Sequence, residues 1–226
     1  MKIDRILLLA CDRPDYLRDS LARCMTLGIE IIAVLDKPSN LGRIQYWKKC
    51  EAILKTAGVF FIKNSDNLGC SNSMYLLLDQ RHEGNNLVIE DDIILKDSFE
   101  SEIANLEFAK PFIAKLSLHY WGWVASGCAI DRFKQFRNKD NTVVSKKMLQ
   151  TLEYQAIEIF QKNNTFFPWD ELLNTCSKLS GIKVHEGFDL AENIGEFSSR
   201  KQNKSEGATK FCIFKNGVIH KFGQIN

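Results

Sequence analysis

Several signatures are missing from this 226-residue sequence. No run of 18 apolar residues occurs, so no segment reads as a membrane-spanning helix. The apolar stretch Ile6–Ala10 is too short for the core of a secretion signal and is followed at once by charge. The expectation is a cytoplasmic protein, with peripheral attachment to a membrane left open. The four His are scattered, and neither HExxH nor a Cys/His zinc pattern is present. The seven cysteines (Cys11, Cys24, Cys50, Cys70, Cys128, Cys176 and Cys212) are odd in number and unclustered. In a chain of this size that argues against a disulfide framework and for free thiols in a core. The two commonest phosphate-cradling loops, GxxxxGK[ST] and GxGxxG, are absent. An excess of one charge is lacking too: 30 basic against 28 acidic residues leave +2. That balance excludes a dedicated nucleic-acid binder.

What remains is an ordinary globular composition, 45% apolar and 26% charged, with 13 Gly and 4 Pro. Collagen, coiled coil and disorder are excluded. At this length roughly 70% of the unfolded surface can be buried, and one domain is the default. Ile6–Ala10, Ile31–Leu35, Val59–Ile62 and Leu87–Ile89 are apolar runs without alternation, as strands buried on both faces require. Between them, Leu17, Leu21, Cys24 and Met25 share a helical face that Gly28 is placed to end, with Pro14 suited to its first turn. Ile44, Trp47, Cys50 and Leu54 make a second face; Cys70, Met74, Leu77 and Leu78 make a third. Four such repeats predict right-handed crossovers and a parallel sheet. Beyond residue 95 the rhythm changes. A helix is expected through Phe99, Ile103 and Leu106, and strands over Phe112–Leu118 and Val124–Ile130. Helices are expected from about Ser145 to Lys162 and near Trp169–Leu179, and a polar stretch from Gly195 to Lys210. Residues 200–226 carry six basic side chains against one acid, Glu206. They read as a solvated face that attracts phosphate.

Ligands of parallel sheets bind beyond the carboxyl ends of the strands. Cys11-Asp12-Arg13-Pro14 follows the first strand, and Asp36-Lys37-Pro38 the second. Asn64-Ser65-Asp66-Asn67 follows the third, and Glu90-Asp91-Asp92 the fourth. Each alone could be a cap or turn; four polar endings at one edge point to a site. Three adjacent carboxylates repel one another and call for a cation. An oxygen-only set suits Mn²⁺ or Mg²⁺. Trp121-Gly122-Trp123 could form a sugar-stacking wall or pack in a core. Asp170-Glu171, just after Pro168-Trp169, could be catalytic or merely favourable at a helix start.

In this order, the Ala-Cys-Asp-Arg at 10–13, Glu90-Asp91-Asp92, Gly122-Trp123, Trp169-Asp170 and Ser199-Arg200 resemble the motifs of GT-A fold glycosyltransferases. The likeness is to N-acetylglucosaminyltransferase I and its bacterial relatives, and it spans residues 10 to 200. It implies a single α/β GT-A (Rossmann-like) domain with a mostly parallel central sheet flanked by helices. Residues 1–95 would form the nucleotide-sugar-binding half. Residues 96–226 would form the acceptor-binding half, with a mobile loop over 195–210. The implied activity is inverting, metal-dependent transfer of a sugar from a nucleotide-diphosphate sugar, UDP favoured, to a saccharide or other hydroxyl acceptor. The expected nucleotide-sugar contacts are Cys11, Asp12, Arg13, Asp36, Asn67, Glu90, Asp91, Trp123, Ser199 and Arg200. Among them Arg13 and Asp36 would hold the nucleoside. Asp92 would bind Mn²⁺ or Mg²⁺ directly, and Asp170 would be the general base, with Glu171 its understudy. The chemistry agrees in kind: a departing diphosphate needs a divalent cation, and a hydroxyl nucleophile needs a carboxylate.

Three other readings compete. A sugar nucleotidyltransferase also uses an α/β sheet and an Asp-held metal, but normally opens with a glycine-rich loop, and CDRP has no glycine. A receiver-type signalling module needs an acid pair at the first strand, whereas the triple acid here follows the fourth. A non-catalytic nucleotide-sugar-binding domain would keep the same residues.

Overall fold

The first strand, β1 (Arg5–Ala10), is apolar along its length, and five of its six residues are buried. Such a strand needs cover on both faces. The computed structural model, which describes residues 1–117, 122–134, 177, 180–195, 212–215 and 218–221, supplies it. After β1 come α1 (Pro14–Met25), β2 (Ile31–Leu35), α2 (Ile44–Thr56), β3 (Phe60–Lys63), α3 (Gly69–Leu78) and β4 (Asn85–Glu90). Then follow β5 (Ile93–Leu95), α4 (Phe99–Ala104), β6 (Phe112–Lys115), β7 (Trp123–Ser126) and α5 (Gly127–Lys134). Short strands β8 (Lys183–His185) and β9 (Ala191–Asn193) and a hairpin of β10 (Cys212–Lys215) and β11 (Val218–Lys221) complete the described elements.

Alternation along β1 separates two cores. Ile6, Leu8 and Ala10 pack with Ala33 and Leu35 against Leu17 and Leu21 of α1 and Trp47 and Leu54 of α2. Leu7 and Leu9 pack with Ile32 and Val34 against Met74 and Leu78 of α3 and Ile130 and Phe133 of α5. The faces expected of α1, α2 and α3 are thus the buried ones, except that Met25, expected on the α1 face, is 48% exposed. Gly28, at φ +64, stands just past α1 in the left-handed conformation that glycine tolerates.

Seven strands form the main sheet in the order β3-β2-β1-β4-β7-β6-β8. The pairs β1–β2, β1–β4 and β2–β3 are parallel, as the repeats predict. Only β7 runs against its neighbours, pairing antiparallel with β4 and β6. It is also shorter than the expected Val124–Ile130 strand, because the chain turns into α5 at Gly127. There the backbone closes on the 82–84 turn: the Gly127 amide donates to the Gly84 carbonyl at 2.7 Å. A Cβ at 127 would lie 2.6 Å from the carbonyl oxygens of His82 and Glu83. The buried positions then follow helical spacing through Ala129, Ile130 and Phe133. The strands β5 and β9 pair antiparallel as a separate two-stranded ribbon. The helices expected over 145–162 and 169–179 lie outside the described residues except for Ser177, and so does the polar stretch after Gly195. Among the described residues no helix is long and apolar enough to cross a membrane.

Candidate functional site

The chain leaves β1 toward β2 and β3 on one side and returns to β4 on the other. The carboxyl ends of β1 and β4 therefore flank a point where the winding reverses, the usual crevice for ligands in open α/β sheets. Leu9 pairs with Glu90 at the end of this ladder. One step further, the Asp91 amide donates to the Leu9 carbonyl at 2.9 Å. The Cys11 amide then donates to Asp91 Oδ2 at 3.0 Å. The ladder continues through a side chain, which buries the Asp91 carboxylate completely.

Arg13, fixed just ahead of Pro14 in the first turn of α1, closes the crevice. Its guanidinium donates from Nη2 to Asp91 Oδ1 and from Nη1 to Asp92 Oδ2. Nη2 also stands 3.9 Å from Glu90 Oε2. Three carboxylates face one guanidinium, so the cluster keeps an excess of negative charge. Burial raises the Asp91 pKa; Arg13 opposes that rise and the Asp92 charge adds to it. Burial works against the charge on Arg13, but Asp91, Asp92 and Glu90 more than offset it and push its pKa up. The Cys11 thiol is held protonated, chiefly by burial and then by Asp12, Asp91 and Asp36. It is therefore no nucleophile. Asp92 is 6% exposed, and its Oδ1 is buried with no hydrogen-bond partner among the described residues. The Ile194 amide holds the Asp92 carbonyl at 2.9 Å. Gly195 lies so close that any Cβ there would strike the Asp92 carboxylate.

The neighbouring edge, beyond β2 and β3, is built differently. Asp36 Oδ1 accepts from Asn64 Nδ2 at 2.9 Å and from the Leu68 amide at 3.2 Å. Asn64 also donates to Ser73 Oγ at 3.1 Å, tying the two strands to α3. Asn67 donates to the Lys37 carbonyl, and Lys37 Nζ to the Ser65 carbonyl at 2.7 Å. Asp12, 1% exposed, accepts from Arg43 Nε at 2.8 Å, and Arg43 Nη2 donates to the Asp12 carbonyl at 2.9 Å. The Arg43 guanidinium lies 4.5 Å from the Tyr46 ring centre.

Cys11, Asp12, Arg13, Glu90, Asp91 and Asp92 are thus gathered at the β1/β4 end, with Asp36 and Asn67 beside them. Arg13, expected to hold a nucleoside, is the counter-ion of the acids in this structure. Trp123 needs a correction as a sugar-stacking candidate. Its ring is 1% exposed and meets Phe133 edge-on at 6.2 Å, so it fills the core under α5. Asp170, Ser199 and Arg200, with Trp169 and Glu171, lie outside the described residues. Reading the sequence missed Arg43 and Gly195. Arg43 stands at the start of α2, well past the end of β2, and nothing local marks a glycine that must clear a carboxylate far away in the chain.

Among the described residues no three His, Cys, Asp or Glu side chains are arranged to hold a metal ion. Mg²⁺, however, is commonly held by one or two carboxylates, with water and substrate phosphates filling the other positions. The unpartnered Asp92 Oδ1, the all-oxygen donors and the surplus negative charge fit such a hard cation.

No protein-family model matches the sequence, and no curated protein matches it. Solved structures do. A nucleotidyl transferase from Methanothermobacter aligns over 83% of this chain and 88% of its own, with a TM-score of 0.52 at 10% identity. A CTP:phosphocholine cytidylyltransferase from Streptococcus pneumoniae aligns over 91% and 98%, with a TM-score of 0.48 at 13% identity. A mannosyltransferase from Pyrobaculum calidifontis, solved with GDP-mannose and Mn²⁺, aligns over 84% of this chain and 56% of its own, with a TM-score of 0.48 at 8% identity. The first likeness supports the α/β fold, a mostly parallel sheet of the Rossmann-like kind found in nucleotidyltransferase and GT-A domains.

Proposed function

We propose that this chain is a metal-dependent glycosyltransferase of the GT-A type. It moves a sugar from a nucleoside-diphosphate sugar to a hydroxyl acceptor with inversion. The reading rests on one observation: an acid cluster with surplus negative charge at the β1/β4 reversal, where Asp92 keeps a buried oxygen without a partner among the described residues. A divalent cation, Mn²⁺ or Mg²⁺, would supply Lewis-acid stabilisation of the charge that develops on the leaving diphosphate. Asp92 is the direct ligand, and Asp91 and Glu90 orient it and the donor sugar. Asp12, Asp36 and Asn67 shape the nucleoside side of the crevice, with Cys11 at its floor. Ser199 and Arg200 reach the diphosphate from the polar stretch. Asp170 accepts the proton of the acceptor hydroxyl. The freed oxygen forms the new bond to the anomeric carbon, and the bond to the diphosphate breaks with its electrons leaving on the nucleoside diphosphate. The acceptor half comprises residues 96–226, and UDP is the expected nucleotide. The ordered motifs support a relationship to N-acetylglucosaminyltransferase I and its bacterial relatives.

The fold also suits a sugar nucleotidyltransferase, which the likeness to the Methanothermobacter nucleotidyl transferase favours. The products distinguish the two. Incubation with nucleoside-diphosphate sugars and Mn²⁺ should release nucleoside diphosphate. Pyrophosphate from a nucleoside triphosphate and a sugar phosphate would establish the rival. Proton coupling at the new anomeric centre checks inversion, and retention would sink the single-displacement scheme.

A further inference from the structure

Arg13 is placed where an arriving divalent cation would compete with it. One guanidinium nitrogen holds Asp91 and the other holds Asp92, while Glu90 lies 3.9 Å away. The Arg13 side chain is 14% exposed and that of Asp92 9%, so water screens little of this attraction. Asp92 presents its second oxygen, Oδ1, without a partner among the described residues. A cation that takes this oxygen meets the guanidinium on the other oxygen of the same carboxylate. Two positive charges on one carboxylate, a few ångströms apart, repel strongly in so enclosed a place. Gly195 crowds the side that the guanidinium holds, since a Cβ there would strike Asp92 Oδ2.

We propose that Arg13 is the resident cation of this cluster, and that divalent-cation binding at Asp92 and release of the Arg13 guanidinium are one exchange. Without metal, Arg13 neutralises part of the acid excess and holds α1 against the turn after β4. When the cation arrives, the guanidinium gives up Asp92 and keeps Asp91. It then offers free N–H donors at the mouth of the crevice, in the planar fork that suits phosphate. Metal and a diphosphate therefore bind with positive coupling, since the displaced group regains a partner only when the anion is present. The exchange rests on reading Asp92 as a divalent-cation ligand and not on glycosyl transfer.

The experiment is calorimetric titration of Mn²⁺ alone, without any sugar donor, into the wild type and Arg13→Gln. Each is repeated with UDP, and folding is checked by circular dichroism. Arg13→Gln should bind Mn²⁺ at least about tenfold tighter than the wild type, because the competing charge is gone. UDP should tighten Mn²⁺ binding more in the wild type than in the variant. Equal or weaker Mn²⁺ binding by Arg13→Gln, or no binding by either protein, overturns the exchange. Should Arg13→Gln fail to fold, ¹⁵N spectra of the wild-type arginine side chains decide, with Arg13→Lys identifying the Arg13 signal. Mg²⁺ should shift that signal, and an unmoved signal at saturating Mg²⁺ overturns the proposal. A protein that shows the exchange but releases no nucleoside diphosphate from any sugar donor would refute the glycosyltransferase reading and leave this inference standing.

Discussion

Asp36 and Asp92 follow strands that flank β1 on either side, yet their surroundings differ in kind. Asp36 is held by neutral donors, the Asn64 amide group and the Leu68 backbone, in a network that reaches Ser73. Asp92 shares one guanidinium with two other carboxylates and keeps an oxygen without a partner among the described residues. Buried polar groups are normally satisfied, and a satisfied one contributes to stability. A crevice that leaves charge uncompensated gives up stability for readiness to bind. The β2/β3 edge therefore reads as scaffold, and the β1/β4 edge as the place where something arrives. Asp12 stands between the two: Arg43 is its own nearby cation, yet its Oδ1 is buried without a hydrogen-bond partner among the described residues.

The sharpest way to break this division is to mutate each side and measure activity and stability separately. Asp92→Asn should lower turnover roughly 10²- to 10³-fold, the several kcal/mol that charge stabilisation by a metal is worth. Its melting temperature should hold or rise, because like-charge repulsion is relieved. A large fall in melting temperature with full activity in the folded fraction would reverse the assignment. Arg43→Met should act the other way. It leaves the Asp12 charge buried without its cation, which costs about 2–3 kcal/mol once the partial exposure of Arg43 is allowed for. In a chain of this size that lowers the melting temperature by roughly 5–10 °C. Asn64→Ala removes neutral donors from Asp36 and Ser73 and should cost about 1–2 kcal/mol, or roughly 3–6 °C, in the same melts. If Asn64→Ala proved costlier than Arg43→Met, the amide network and not the ion pair would be the main brace of that edge.

Much of this contrast was legible in the sequence, and what was not has a common cause. The unbroken apolar runs placed β1, β2 and β4 and their parallel order, because burial on both faces leaves a local trace. The run over 59–62 placed β3 as well, but that edge strand is not buried on both faces, and Phe60 is 64% exposed. Acids after those strands marked the edge. The role of Arg13 left no such trace. A cation after a first strand reads as an anion binder until the fold brings Asp91 and Asp92 onto it from 78 and 79 residues away. Trp123 carried two readings of equal local merit, and only the packing of α5 over it decided for the core. The early end of β7 depended on Gly127 meeting the 82–84 turn, again a distant contact. The strands β8 and β9 are three residues each and carry no apolar run to announce them.

Stability measured against pH sharpens the comparison with the smallest effect, by removing a contribution that belongs to neither crevice. His185 ends β8, at the far edge of the sheet. It stacks on Phe108 with ring centres 4.0 Å apart, and its Nε2 is buried without a hydrogen-bond partner among the described residues. Burial, and then the charge of Lys183, lower its pKa below the ordinary value of 6.5. Protonation would place charge on a ring already pressed against another and beside a cation. Below pH 6.5 the unfolded chain therefore takes up a proton that the folded chain refuses, and stability falls as pH drops toward the lowered value. Above pH 6.5 both states are neutral and the contribution is fully present. His185→Phe keeps the stacked ring but cannot titrate, so its melting temperature should lose the part of the pH slope that lies just below 6.5. Whatever slope survives in that variant can be tested for the acids beyond β1 and β4. If His185→Phe and the wild type have the same slope, His185 does not titrate differently on folding, and the whole dependence passes to the crevices.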